Sequence, residues 1–453
     1  MATLVSMKTQ RRTIYMTRKN HFDGSRYAKI LYENNQVLLG ADIDWLKELR
    51  QKAMDTFVEV GLPGPRLEEW KYTNLSSMNS KTYSPLNISD KVDTAVQSKI
   101  ANACINNIDG SKVVFVDGYF QSDLSVMKEE EGLILSPLST YIKSHGDDAK
   151  ALFNVTREET SLANLNSALM TDGYVIHVKQ GVKLSHPIQI IHVASEKSSN
   201  KALRNKNFIN IEAKATAQII ESFIGVDNVD NWQQDVTNIS VAKKAQLEIY
   251  QTQLQGNETI HMDETHVEVA QDADFKHYSL NIGSKNSRTE IKPTLNGLHG
   301  NVDLCGAFLG RGGNNHDLFT HMKHLVPECE SDQIYRGVLD KGGKSAFQGK
   351  VYVARDAQLT NATQSNKNLL LDRDAEANSK PELLIYADDV KCAHGATVGE
   401  LDAEALFYLK SRGLDRAAAK SLLVEAFVAE VYTHVAIPAV KEKYLDLARA
   451  WLG

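Results

Sequence analysis

No run of the 453 residues approaches the eighteen or so consecutive apolar positions that a bilayer-spanning helix requires, which argues against a membrane partner. Cysteine is scarce. Cys104, Cys305, Cys329 and Cys392 form no Cys-x-x-Cys pair and are too few to staple a fold of this size. That usage excludes a disulfide framework and fits free thiols in a reducing, cytoplasmic setting. Charge of one sign is missing too: 51 basic and 57 acidic residues leave a net −6, far from the basic excess that coats nucleic acid. The first 22 residues carry Lys8, Arg11, Arg12, Arg18 and Lys19 but no acid and no apolar core of a secretory signal. They read as a disordered or extended leader, with plastid or other organelle targeting the less favoured reading.

What is present falls into three zones by hydrophobic period. In 41–60, Trp45, Leu46, Leu49, Ala53, Phe57 and Val60 recur at helical spacing, and Gly61, Pro63, Gly64 and Pro65 end the run. Residues 93–170 are mixed, with a helix-like AVQSKIANACI, a strand-like VVFVDGYF and a further helix over 158–170. From 172 short β-rich pieces take over (YVIHV, IQIIHV, FINIEA, HVEVA, KVYVA), and no helical period returns for over 200 residues. The resulting division is a leader at 1–22, a mostly helical domain at 23–171, a β core at 172–398 and a helical domain at 399–453.

A repeat selects among the β architectures. The pattern V-A-x-x-A-x-[LF] stands at 241–247, 269–275 and 353–359, spaced by 28 residues and by three times 28. Ala217-Gln218-Ile219 lies another 28 before the first copy, while no clear copy falls near 301 or 329. An up-and-down barrel has no need of copies in phase over 140 residues. A β-solenoid does, because each coil must bury its Val, Ile, Leu and Phe against the next.

In the third zone, DAEALFYLKSR (402–412) stops at Gly413, and Asp415 is placed to cap a helix through RAAAKSLLVEAFVAEVYTHV. Leu423, Phe427, Val431 and Val435 recur there every fourth residue. A helix this apolar is buried on several sides or offered to a partner. Pro438 opens a last helix.

Four places invite chemistry. Gly343-Lys344-Ser345 resembles the tail of a phosphate-binding loop, but Val338 occupies the required first glycine and no helix follows; it reads as a glycine turn. His316, His321 and His324 with Cys329 offer soft ligands at no compact metal spacing. Cys104 and Cys305 sit in apolar settings as small core residues. Cys392 and His394 differ, because residues i and i+2 of a strand share a face. They are either half of an iron site completed by a second surface or a strand-end cysteine beside a buried histidine, and their spacing leaves both open.

The block NLLLDRDAEANSKPELLIYADDVKCAHGATVGELDAEALFYLKSRGL (368–414) strongly resembles the C-terminal signature of the SufB/SufD family of iron–sulfur cluster assembly scaffolds. AAAKSLLVEAFVAEV behind it, ARDAQLTNATQSNKNLLL before it and PRLEEWKYTNL at 65–75 resemble the family too, so the likeness covers most of the chain. The pattern is closer to the SufD branch. The N-terminal cysteine cluster of the SufB branch is absent, and Gly395 follows the histidine in place of the Glu of a Glu-His-Glu-Ala-Thr motif.

The resemblance implies a right-handed parallel β-helix between helical regions and a complex with a SufB-like subunit and the SufC-like ABC ATPase. It implies that the end of the β-helix pairs with SufB, with His394 and Cys392 as candidate ligands of a transient iron or iron–sulfur cluster shared with it and nothing stably bound to the chain alone. It also implies SufC docking by the C-terminal helices, making Leu406, Phe407, Tyr408, Leu423, Phe427 and Val431 candidates for docking or for the helical core. The chain itself would be a non-catalytic scaffold supporting cluster assembly and iron acquisition, ATP hydrolysis belonging to SufC, and the isolated chain could dimerise through the SufB-facing end. Two alternatives stand beside this: a SufB-like primary scaffold receiving sulfur on its own cysteine, and a stand-alone carbohydrate-binding β-solenoid.

Overall fold

The computed structural model describes residues 24–36, 38–79, 81–86, 94–105, 108–154, 157 and 159–453. The leader expected over 1–22 lies outside the described residues. From Tyr174 onward each successive strand enters the opposite one of two sheets, so two strands make one coil. One sheet runs Tyr174–Val178, Lys201–Ile211, Trp232–Val241, Ile260–Val269, Asn286–Leu295, Asn315–His324, Lys344–Val353 and Glu376–Ile385. The other runs Ile188–Ala194, Thr216–Gly225, Gln246–Leu254, Asp274–Asn281, Asn301–Gly310, Glu330–Leu339, Asn361–Leu370 and Lys391–Glu400. Neighbours along both stacks are parallel, which makes the expected β-solenoid.

The repeat has a steric cause. Val241, Val269 and Val353 each end a strand of the first sheet, and the alanines that follow close the same corner. Ala245 N donates to Ala242 O at 2.9 Å, Ala273 N to Ala270 O at 3.2 Å and Ala357 N to Ala354 O at 3.0 Å. The second alanine of each pair is fully buried and packs its methyl into the main core. Register links Val269 to Val353 through Leu295 and His324, so the coils lacking a copy are present with other corner residues. The fourth match was misplaced. Ala217 pairs with Leu247, and the corner residue of that coil is Ala215, because the coil is two residues longer than the assumed period.

Both sheets continue into the preceding span. VVFVDGYF forms the hairpin Lys112–Val116 and Tyr119–Phe120, turning at Asp117 (φ 53°) and Gly118 (φ 84°), and its first strand pairs parallel with Ile188–Ala194. Leu133–Pro137 pairs antiparallel with Tyr174–Val178. The helices Asp44–Val60 and Ser161–Leu169 cover the first sheet, joined by the buried Arg50, which donates to Leu39 O, Ala168 O and Met170 O. Trp70, from the conspicuous 65–75 segment, lies 4.1 Å from the Arg288 guanidinium, and Thr73 donates to Asp317 on the next strand. Glu68 reaches Lys380 on the last strand of that sheet at 2.6 Å.

The C-terminal helices Ala403–Ser411, Arg416–Ala429 and Pro438–Leu452 stand where expected, except that Asp402 caps the first rather than belonging to it. Asp402 accepts from the Glu404 and Ala405 amides, Asp415 accepts from the Ala418 amide, and Gly413 takes φ 96°. The middle helix is shorter than its periodicity suggested, closing with the single tighter turn Glu430–Tyr432, which seats Val431 and Tyr432 on the second sheet. Its inner stripe is Val424 and Val428, each fully buried, one residue from the expected Leu423 and Phe427, which are only half-buried. Tyr432 Oη donates to Ser279 O at 2.7 Å and Tyr444 Oη to Gln251 O at 3.1 Å.

The solenoid interior is apolar along one side only. Ile209, Ile239, Val267, Leu247 and Phe275 belong to the main core. Along the other side, Tyr174 Oη donates to Glu221 Oε1 at 3.1 Å, His192 Nε2 lies 3.0 Å from the same oxygen, and Gln251 Nε2 donates to Asp263 Oδ2 at 2.8 Å. Burial, reinforced by the Glu221 charge, pushes the Asp263 carboxyl up to about 7, and burial lowers His261 to about 3.

Candidate functional site

The strand Lys391–Glu400 is the last of the second sheet, paired on one side with Asn361–Leu370 and open on the other. On the covered neighbour, Ala362, Gln364, Asn366 and Asn368 are buried while Asn361, Thr363 and Lys367 are exposed, which defines the interior face. Register places Cys392 over Ala362 and His394 over Gln364. Both candidate ligands therefore continue the interior face one coil further, where no next coil covers them. Cys392 is half-buried against the main core; His394 is exposed. Burial raises the Cys392 thiol, partly offset by the backbone hydrogen bond at Ala362, so it rests as a thiol until a metal or cation approaches.

The rim around them is apolar. Val398 follows on the same face of the strand, 49% exposed, and Leu384, Ile385 and Tyr386 are exposed at the end of the other sheet. Two bare strand edges, each with unmet backbone donors and acceptors, present a ready template for another chain's strands. Among the described residues no group of three or more His, Cys, Asp or Glu is placed to hold a metal.

The remaining candidates separate. Phe407 (74%) and Tyr408 (55%) are exposed on a helix with no buried residue, the Arg412 guanidinium lying 5.1 Å from the Tyr408 ring. Leu406 is half-buried and Val431 fully buried, so the six positions read as docking or core divide between an outer and an inner face. Phe427 lies under the Arg336 guanidinium, which also donates to Glu430 Oε2 at 3.0 Å. His316 and His324 do share the interior face but bond separately, to Ser287 at 2.8 Å and Ser331 at 2.9 Å, and Cys329 Sγ contacts Gly297 O. Gly343 and Lys344 stand at a tight corner where a Cβ on Gly343 would meet Gly310 O at 2.2 Å, a packing reason for the glycine.

Two features escaped the sequence reading: Gln364 beneath His394, and the interior polar side around Glu221 and Asp263. The repeat points to Val, Ile, Leu and Phe inside the coils and alternate polar residues outside. A signal for the first existed, since Gln333, Gln364 and His394 occupy one column of register on successive coils.

Two family profiles match the chain. The SufBD protein N-terminal region matches residues 23–190, and the SufBD core domain of SUF-system FeS cluster assembly matches residues 192–427, more than half of the chain. An iron–sulfur cluster assembly SufBD family protein of Synechocystis is 28% identical over 415 residues, covering 89% of this chain and 91% of the relative. The iron–sulfur cluster assembly protein SufD of Escherichia coli is 27% identical, covering 87% and 90%. That of Bacillus subtilis is 26% identical, covering 89% and 93%. A parallel solenoid with helices at both ends of the sequence, matched over nearly its whole length by both profiles, belongs to the SufBD family of iron–sulfur cluster assembly proteins.

Proposed function

We propose that this chain is the SufD-type scaffold subunit of a SUF assembly complex, pairing with a SufB-type subunit through its bare solenoid end and docking a SufC-type ATPase on its C-terminal helices. The observation that carries the proposal is the last strand, which turns Cys392 and His394 toward an interior that this chain leaves open. A partner contributing the next strands would close the tube over them and add the missing ligands. Iron or a nascent cluster is then cargo held transiently between two chains: His394 offers an imidazole nitrogen and Cys392 a thiol that deprotonates as it ligates. The exposed Phe407 and Tyr408 are the surface offered to the ATPase.

The thiols favour this role over primary sulfur acceptance. Burial raises Cys104, Cys329 and Cys392, and pushes Cys305 up to about 12, so none is held as the thiolate that attacks a persulfide donor. No described helix is long and apolar enough to cross a membrane, and we place the chain in the cytoplasm with its partners.

The test is reconstitution with the two partners under anaerobic conditions, followed by iron and sulfide analysis. His394→Ala is expected to lower the iron and sulfide content while leaving assembly of the complex intact, and Cys392→Ser to lower it less. Equal content in wild type and His394→Ala removes the site from the mechanism.

A further inference from the structure

The unfinished coil leaves a second trace one layer down. Gln364 is 3% exposed, yet neither its Nε2 nor its Oε1 has a hydrogen-bond partner. A buried primary amide with both ends unmet is costly, and such groups are rare in folded chains. The fold has made room for it. The amide leans across the interior toward the other sheet at Gly349, where a Cβ would come within 2.0 Å of Gln364 Nε2.

What lies above and below the amide narrows its purpose. One coil further in, Thr320 Oγ1 donates to Gln333 Oε1 at 2.7 Å across the two sheets, and Gln333 Nε2 is left without a partner. One coil further out, the register partner of Gly349 is Pro381, whose ring carries no donor, and the register partner of Gln364 is His394. Parallel neighbours in register stand about 4.8 Å apart with side chains on the same face. A file of hydrogen-bonding groups therefore runs Thr320, Gln333, Gln364, His394, ordered at its inner end and unfinished at the mouth.

We infer that Gln364 is a positioning residue for His394, its amide oxygen taking one imidazole N–H once a partner closes the open end. The oxygen has two lone pairs, so it can accept from Gln333 Nε2 on one side and from His394 on the other. Accepting one ring N–H fixes the tautomer and aims the lone pair of the other nitrogen outward, toward the cargo and the partner. The role is distinct from ligation, because Gln364 touches the iron only through the ring above it. The inference rests on the reading of His394 as a ligand.

The experiment compares the full chain carrying Gln364→Met, Gln364→Glu or His394→Ala, each reconstituted with its SufB-type and SufC-type partners, by anaerobic equilibrium dialysis against Fe(II) and by thermal melting. Gln364→Met keeps the side chain's length and removes an unpaired buried amide, so its Tm is expected to equal or exceed that of wild type. Its Fe(II) affinity is expected to fall roughly 10- to 100-fold, as when a ligating histidine loses its supporting acceptor. Gln364→Glu, which keeps an acceptor of equal reach, is expected to restore binding. If Gln364→Met binds Fe(II) like wild type while His394→Ala does not, the positioning role is overturned and the ligand reading stands. If His394→Ala itself binds like wild type, both fall. A Tm and an affinity that drop together in Gln364→Met, without rescue by Gln364→Glu, make the residue structural and also overturn the inference.

Discussion

The two ends of the second sheet are built from the same unit and finished in opposite ways. At one end Ile188–Ala194 is buried at every residue, covered by the hairpin Lys112–Val116 and Tyr119–Phe120 and the helix Thr94–Ala103. At the other, Lys391–Glu400 has no fully buried residue at all. Solenoids need a cap wherever stacking stops, since each coil hides its apolar face only against a neighbour. Here the hairpin and Thr94–Ala103 cap one end of the second sheet, while among the described residues no strand or helix stacks on Lys391–Glu400 at the other. The difference is what supports the proposed interface: the covered end is built for stability, and the bare end leaves its last strand without a neighbour.

Substitutions can break that division, beginning with the largest effect. Trp232 is fully buried under the N-terminal helices, with the Arg204 guanidinium 4.7 Å from its ring and the Tyr83 ring 6.1 Å away. Trp232→Ala should cost about 3–5 kcal/mol in urea unfolding of the isolated chain. A loss near zero there would mean the covered end is no firmer than the bare one.

The next effect is a pH dependence held in the interior. Asp263 titrates at about 7 in the folded chain against roughly 3.9 when unfolded. Its contribution is therefore complete below about pH 4, declines as pH rises, and is gone above 7. Asp263→Asn should leave stability unchanged near pH 4 and raise it by on the order of 2–4 kcal/mol at pH 8. The buried histidines act with the opposite sign. His277, His316 and His324 are lowered by burial to about 4, so their contribution is present above about 6.5 and is lost as pH falls through 4. Denaturation midpoints across pH 4–9 should trace both limbs in wild type and a shallower loss toward high pH in Asp263→Asn, the remainder coming from Asp235, Asp172 and Asp303, whose carboxyls burial also raises.

Val428→Ala, in the fully buried stripe of the middle C-terminal helix, comes next at about 2 kcal/mol. Phe407→Ala on the neighbouring helix should change stability by less than about 0.5 kcal/mol and weaken ATPase binding instead. The smallest stability effect is expected at the rim. Val398→Arg should leave the melting temperature of the isolated chain unaltered while abolishing co-purification with the SufB-type partner. A large loss of stability from that exposed position would show the bare end to be structural after all.

Much of this was legible in residues. The solenoid followed from alanines that recur at its buried corners, and the helix ends followed from Gly413, Asp415 and Pro438, whose effects are local. The Cys392–His394 pair was legible as two residues on one face. Coil length was not, because corners of four to nine residues are all compatible with the same stacking, and the Ala217 match failed for that reason. The buried stripe of the middle helix was missed by one residue, since a helix apolar all round does not declare which side meets the sheet. Gln364 was invisible for a different reason: an inward glutamine is unremarkable until register sets it under a histidine.

The tail that folds back onto the solenoid also sets a timetable for synthesis. Tyr444 bonds to Gln251 across 193 residues and Tyr432 to Ser279 across 153. At a translation rate of about 5–20 residues per second, the outer face bearing Tyr250, Tyr278 and Leu309 waits roughly 10–40 s for its cover. Throughout that interval the growing tube exposes both an aromatic flank and a fresh strand edge. The nascent chain is thus most prone to aggregation just before its last helix leaves the ribosome, and truncations that remove Pro438–Leu452 should be the ones that fail to accumulate in soluble form.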